Sequence, residues 1–301
     1  MKRLILSVLS LLAIVSCTSS SEQTDTNYEP VPERYGWNES VALRGDVSSV
    51  VVTDSLGHIL RSYLFNSRGD VLESALYAIN GEVSDKVFYE YDASGRLLHK
   101  SVMRAGVRTL AFRYVYDSFG NLTEEHYPEF DETIYNSYNQ SGQKVKSQLY
   151  AYAHSARYEY QYDVNGNQVA ERRYTANSRT PMCVITKEYD TESRVVRRMV
   201  QNADGVYDSN ISYEYDAFGN MNALQSYDDR GVVAYGVSCL YDDKSNLIQK
   251  RISSAQSNTI DVVKYEYEYD AQGNATCRRE SSENGVVKGP EVLKYRIEYR
   301  K

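Results

Sequence analysis

The chain has 301 residues, 42% of them hydrophobic and 25% charged, with a formal net charge of −7 and a mean hydropathy of −0.57. It holds 29 Tyr against 6 Phe and 1 Trp, with only 5 Pro and 17 Gly. That balance excludes a disordered, collagen-like or linker-like chain, and an excess of a strand-favouring aromatic argues against a helical bundle.

The chain opens on Lys2 and Arg3, then the apolar run Leu4 to Val15, then Ser16 and Cys17. An apolar run this short is the core of a signal peptide rather than a membrane span. Ile14-Val15-Ser16-Cys17 resembles the bacterial lipobox, which implies cleavage after residue 16 and acylation of Cys17, palmitate included, at the mature N-terminus. Residues 1–16 are therefore expected to be a lipoprotein signal peptide. Residues 17–45, rich in Ser, Thr and acids and carrying Pro30 and Pro32, read as the lipidated Cys and a flexible tether. Loss of Lys2 and Arg3 leaves 32 cations against 41 acids, a net charge of −9. Such a chain repels nucleic acid and gains nothing from anionic lipid, so membrane attachment rests on the acyl chains. Thr18 stands where lipobox proteins retained at the inner membrane carry Asp, which points to the bacterial outer membrane within the cell envelope.

From about residue 46 to residue 301 the sequence repeats. Tyr89-Glu90-Tyr91-Asp92-Ala93-Ser94-Gly95, Tyr213-Glu214-Tyr215-Asp216-Ala217-Phe218-Gly219 and Tyr267-Glu268-Tyr269-Asp270-Ala271-Gln272-Gly273 are one motif, with weaker copies between them. Its anchoring Asp or Asn falls at Asp54, Asn66, Asp92, Asp117, Asn139, Asp163, Asp190, Asp216, Asp242 and Asp270, a period of about 25 residues from Asn66 onward. Gly follows three positions later in eight of the ten copies, and Tyr precedes the anchor in eight of the ten. Asp or Asn opens a type I turn by accepting a backbone N–H, and Gly at the fourth position supplies the left-handed conformation of a G1 bulge. The pairs Asp92/Gly95, Asp117/Gly120, Asp163/Gly166, Asp216/Gly219 and Asp270/Gly273 are thus predicted to be hairpin turns. Alternation puts the tyrosines one and three before each anchor on one buried face, and the glutamates between them on the other. The leucine-like residue five past the anchor should face the first of these tyrosines, whose hydroxyl is expected to stay solvated.

Two strands per period make an all-β chain, a long antiparallel meander of about twenty strands coiled into a twisted or spiral repeat sheet. The last strand, near Leu293 to Tyr299, is expected to be a free edge guarded by Lys294, Arg296, Glu298, Arg300 and Lys301. The iterated Tyr-x-Tyr-Asp-x-x-Gly unit resembles the YD repeat of RHS-repeat proteins. That resemblance implies a spiralling β strip serving as a shell, a cell-surface contact or a carbohydrate binder. The Asp-Pro-x-Gly-Leu element that ends the shell-forming core is missing, so a short repeat-only lipoprotein without a toxin domain is expected.

Chemistry is sparse. His58, His99, His126 and His154 fall in different repeats with no metal spacing, and Cys183, Cys239 and Cys277 show neither zinc nor redox spacing, so no metal or cofactor is expected. Cys239 and Cys277 should lie three strands apart, beyond disulfide reach, leaving three free thiols. Ser141 to Lys144 spells S-x-x-K on a turn, and Asp163 to Asn167 starts like a calcium loop with its Gly misplaced; the turn accounts for both. No catalytic residues are assigned. Most tyrosines are scaffold by position. Tyr150, Tyr152, Tyr158, Tyr227 and Tyr235 lie off the motif near the second turns, where a repeat protein carries its variable surface, and are the candidate ligand-binding residues. The expectation is a lipid-anchored envelope protein, not an enzyme, with a binding or adhesion surface for glycans or a partner protein. The alternatives are a structural scaffold for another envelope protein and, more weakly, a carbohydrate-active enzyme.

Overall fold

The computed structural model describes Trp37, Glu39 and residues 41–152, 155–175, 177–283 and 292–300. The signal peptide, Cys17 and the tether to residue 36 lie outside the described residues. Among the described residues twenty strands are numbered β1 (Val47–Thr53) to β20 (Val292–Tyr299) in chain order, interrupted by one 3-10 turn at Pro128–Phe130. They form one antiparallel sheet in which each strand pairs with its sequence neighbours.

β1 pairs with β2 (Ile59–Phe65) and also with β20, so that Val50 lies opposite Ile297 and Val52 opposite Tyr295. The meander is therefore a closed barrel and not an open spiral strip, and its last strand is not a free edge. The hairpins explain the closure. Each motif turn carries a bulge directly before its anchor, as between Glu90 and Tyr91, Val115 and Tyr116, and Glu214 and Tyr215. Bulges bend and twist the sheet in one sense, and over twenty strands the bends bring the two edges together, which removes both.

The turns have the predicted chemistry. Asp92 Oδ1 accepts the backbone N–H groups of Ser94 at 2.8 Å and Arg96 at 2.9 Å, while Gly95 N–H reaches the Asp92 carbonyl at 3.0 Å. Asp117, Asp163, Asp216 and Asp270 repeat this with Gly120, Gly166, Gly219 and Gly273. The Asn121 side-chain amide and the turn's backbone N–H groups hold the Asp117 carboxyl below its usual range. Ser193 and Ser245 replace the turn glycine yet keep the left-handed φ, 62° at each. Both are exposed. Ser193→Gly and Ser245→Gly should therefore each stabilise the fold by roughly 0.5–1 kcal/mol, because the strain of a Cβ in that region disappears. The check is a higher urea midpoint at unchanged slope.

The tyrosine before the anchor is more than packing. Tyr91, Tyr116, Tyr138, Tyr162, Tyr189, Tyr215 and Tyr241 donate their hydroxyls to the carbonyls of Val71, Leu97, Leu122, Lys144, Gln168, Val195 and Met221, at 2.8–2.9 Å. Each acceptor stands five past the preceding anchor. The ladder explains why a donor is needed there. β3 (Val71–Tyr77) and β4 (Val83–Tyr91) stop pairing at Glu73 opposite Phe88, which leaves the Val71 carbonyl beyond the last rung. The phenol takes over where the backbone stops, so these hydroxyls are not solvated as expected, and Phe could not substitute. Tyr215→Phe should cost about 1 kcal/mol, the net value of one hydrogen bond, with little change in packing. Thermal melts of Tyr215→Phe beside Tyr207→Phe, on an exposed ring away from this ladder, would measure it.

The tyrosine and leucine face is the sheltered inner one, and its buried residues form three clusters along the wall. A circular ring of twenty strands spaced roughly 4.8 Å apart is about 30 Å across. Side chains from opposite walls of such a ring do not meet, and many inner residues are only half-buried. The largest cluster gathers Val50, Val52, Tyr63, Phe65, Leu293 and Tyr295 around Trp37 and Val41. Trp37, Glu39 and Val41 are buried, so the folded unit begins by Trp37 and the expected tether is shorter at its C-terminal end. Cys183, Cys239 and Cys277 are buried free thiols on β12 (Cys183–Tyr189), β16 (Val233–Tyr241) and β19 (Ala275–Ser282).

Candidate functional site

Nine of the ten motif turns share one rim, because strand direction alternates and those turns are spaced two strands apart; only the Asp54 turn lies on the other. The opposite rim holds the less regular connections. Even there, Ala78–Gly81, Asn202–Gly205 and Asp228–Gly231 adopt the same hydrogen-bonded hairpin. The real departure follows β7 (Leu122–Tyr127), where Pro128 starts the 3-10 turn and Asp131 ends it in a left-handed conformation, φ 51°.

This turn feeds β8 (Glu132–Tyr138), which pairs with β9 (Lys144–Tyr150). Thr133 and Tyr135 alternate outward on β8, opposite Tyr150 and Gln148 on β9. With Asp131, Ala151 and Tyr152 they line a cleft of about 610 Å³. The rings of Tyr135 and Tyr150 meet edge to face, centroids 5.7 Å apart at 75°, and Gln148 Nε2 donates to the Tyr150 hydroxyl at 3.3 Å. Tyr135, Tyr150 and Tyr152 are 44%, 50% and 94% exposed. Three exposed rings in one place, beside a carboxylate, a hydroxyl and an amide, suit stacking combined with directional hydrogen bonds.

Of the five tyrosines predicted from the sequence, the cleft unites Tyr150 and Tyr152. Tyr158 is a correction. It sits five before its anchor on the inner face, 5% exposed, and burial pushes its phenol up to about 12. Tyr235 is likewise an inner residue, packed against the buried cluster that holds Leu224 and Val237, and its buried hydroxyl has no partner among the described residues. Tyr227 is tied to Gln225 Oε1 at 2.9 Å and Ser212 Oγ at 3.0 Å. Position off the motif did not separate inward from outward rings; strand parity does. Tyr135 was missed for the same reason. It stands four before Asn139, an outward parity that the alternation already marked.

The described histidines remain apart, His58 on Asp54, His99 on Glu90 and His126 on Glu124, while His154 lies outside the described residues. Among the described residues no three His, Cys, Asp or Glu side chains gather as a metal site.

No family model matches the chain. It is 25% identical to human and mouse Teneurin-4 over 222 residues, 62% of this chain, and spans 8% of the length of those relatives. Similar solved structures include TcdB2-TccC3-TEV, at 14% identity and a TM-score of 0.40 over 79% of this chain and 15% of that one. A porin-like protein from Bacteroides uniformis is similar at 13% identity and a TM-score of 0.37, over 85% of this chain and 98% of that one.

Proposed function

We propose that this chain is a YD-repeat lipoprotein, anchored through acylated Cys17 at the bacterial outer membrane, whose barrel binds a glycan without cleaving it. The observation that carries the binding role is the exposed set Tyr135, Tyr150 and Tyr152 around one cleft. Sugar rings offer flat C–H faces to such tyrosines and hydroxyls to Asp131, Thr133 and Gln148. Glycoside hydrolysis generally takes two carboxyl groups, and among the described residues Asp131 is the one carboxylate on the cleft's lining. The wall supports anchoring rather than spanning. Glu90, Arg113, Glu214, Lys264 and Arg296 are exposed on outward strand positions, where a membrane barrel needs an apolar band.

The test is a glycan array probed with the chain lacking its signal peptide and lipid, Thr18 to Lys301, which contains every described residue. Tyr150→Ala and Tyr152→Ala should each weaken binding roughly tenfold, about 1.4 kcal/mol, while Tyr207→Ala, on an exposed ring elsewhere, leaves it intact. An array with no bound glycan rejects the glycan reading; a cell-surface pull-down with the same chain then asks whether the cleft takes a protein. Radiolabelled palmitate incorporation, abolished by Cys17→Ser, tests the anchor separately.

A further inference from the structure

The register of the inner wall repeats as strictly as the turns do. The residue three before an anchor lies opposite the residue eight after it: Tyr89 faces Lys100, Tyr114 faces Glu125, Tyr160 faces Glu171, Tyr213 faces Leu224 and Tyr267 faces Arg278. At the Asp190 motif the pair is Lys187 facing Arg198, on β12 and β13 (Val195–Asn202). A cation has taken the tyrosine's place and stands directly across from another cation. Cβ atoms of such a pair are about 5 Å apart, and like charges there are destabilising.

Other cations on this face are matched. Arg61 pairs with Glu39, Arg104 with Asp85, Arg173 with Glu171 and Arg278 with Glu280, while Lys100 lies over the Tyr89 and Phe112 rings and Lys144 over the Tyr160 ring. Lys187 and Arg198 show no ion pair, hydrogen bond or ring contact of this kind among the described residues. Glu171, the acid that acts on Lys187 electrostatically, is held by Arg173 at 2.7 Å. Burial pushes the Lys187 ammonium below its ordinary value, with Arg198 adding to the shift and Glu171 opposing it.

We propose that Lys187 and Arg198 form an anion site on the inner wall, taking the carboxylate, sulfate or phosphate group of a ligand that enters the barrel. The ammonium offers a point charge with three donors and the guanidinium a planar fork, a pair suited to one tetrahedral or planar oxyanion. Ile185 and Val200, the next inner pair along the same two strands, and Ile211, across from Arg198, flank the site with apolar surface that strengthens the contact. An anion seated there converts a repulsion into two charge-assisted hydrogen bonds. The site is independent of the outer cleft, so either can fail without the other.

The experiment titrates inorganic phosphate, and separately sulfate, into the Thr18 to Lys301 chain by calorimetry, with ionic strength held by chloride. Saturable uptake at one anion per chain is expected, weakened at least tenfold by Lys187→Met and by Arg198→Met and retained by Arg198→Lys. In chloride alone the two methionine variants should melt at or above the parent temperature, since the repulsion is gone. Absence of saturable uptake by the parent overturns the proposal whatever the variants do. So does an equal, non-saturating rise in melting temperature for parent and variants, which is the general effect of excluded salts.

Discussion

Glu39→Ala is expected to lower the unfolding free energy by about 3 kcal/mol or more, the largest effect of any single substitution considered for this barrel. The Glu39 side chain is 3% exposed and holds three donors: Arg61 Nε, Arg61 Nη2 at 3.0 Å and the Tyr63 hydroxyl at 2.8 Å. Removing the carboxylate strands a half-buried guanidinium and a buried phenol together, and loosens Trp37 and Val41 from the cluster they complete. Urea unfolding of the Thr18 to Lys301 chain measures the loss. Glu39→Leu combined with Arg61→Met should recover much of it, because two apolar residues strand no charge. A loss below about 1 kcal/mol for Glu39→Ala would mean that Trp37, Glu39 and Val41 do not dock inside the barrel in solution.

Asn274→Ala should cost about 2 kcal/mol, twice the loss expected for Asn121→Ala at the equivalent turn position of another motif. Asn121 supports its own turn through a 2.9 Å bond from Nδ2 to Asp117. Asn274 is fully buried and does something different: its Oδ1 accepts Arg44 N–H at 2.6 Å, and its Nδ2 donates to the Arg44 carbonyl at 2.8 Å and the Tyr299 hydroxyl at 2.6 Å. Arg44 also donates to the carbonyls of Gly273 at 2.8 Å and Lys244 at 2.9 Å. These bonds stitch the start of β1 to the motif turns before β17 (Leu247–Ser254) and β19, at the seam where the barrel closes. Equal losses for Asn121→Ala and Asn274→Ala, read from urea midpoints at a common slope, would show that this seam is open in solution.

The two substitutions mark where reading the sequence stops. The turns were legible because each is a local device, an acceptor and a left-handed residue within four positions, and the alternating tyrosines fixed the number of strands and the buried face. Tyr135 was legible in principle through its parity. Tyr158 and Tyr235 were misplaced because distance from the motif says nothing about the direction a side chain points. The hydroxyl ladder joins residues about twenty apart in different repeats, and only the register shows that Tyr91 meets the Val71 carbonyl.

Sequence alone determined the all-β meander, its period, its hairpin chemistry and the tyrosine face, since all of these follow from propensity and spacing over a few residues. Closure was decided by the tertiary structure. It depends on the sum of small bends over twenty strands, on β20 meeting β1, and on contacts such as Asn274 to Arg44 that span 230 residues. The same closure gives the wall an inside and an outside. That division places Tyr135, Tyr150 and Tyr152 in an outer cleft and leaves Lys187 and Arg198 facing each other within.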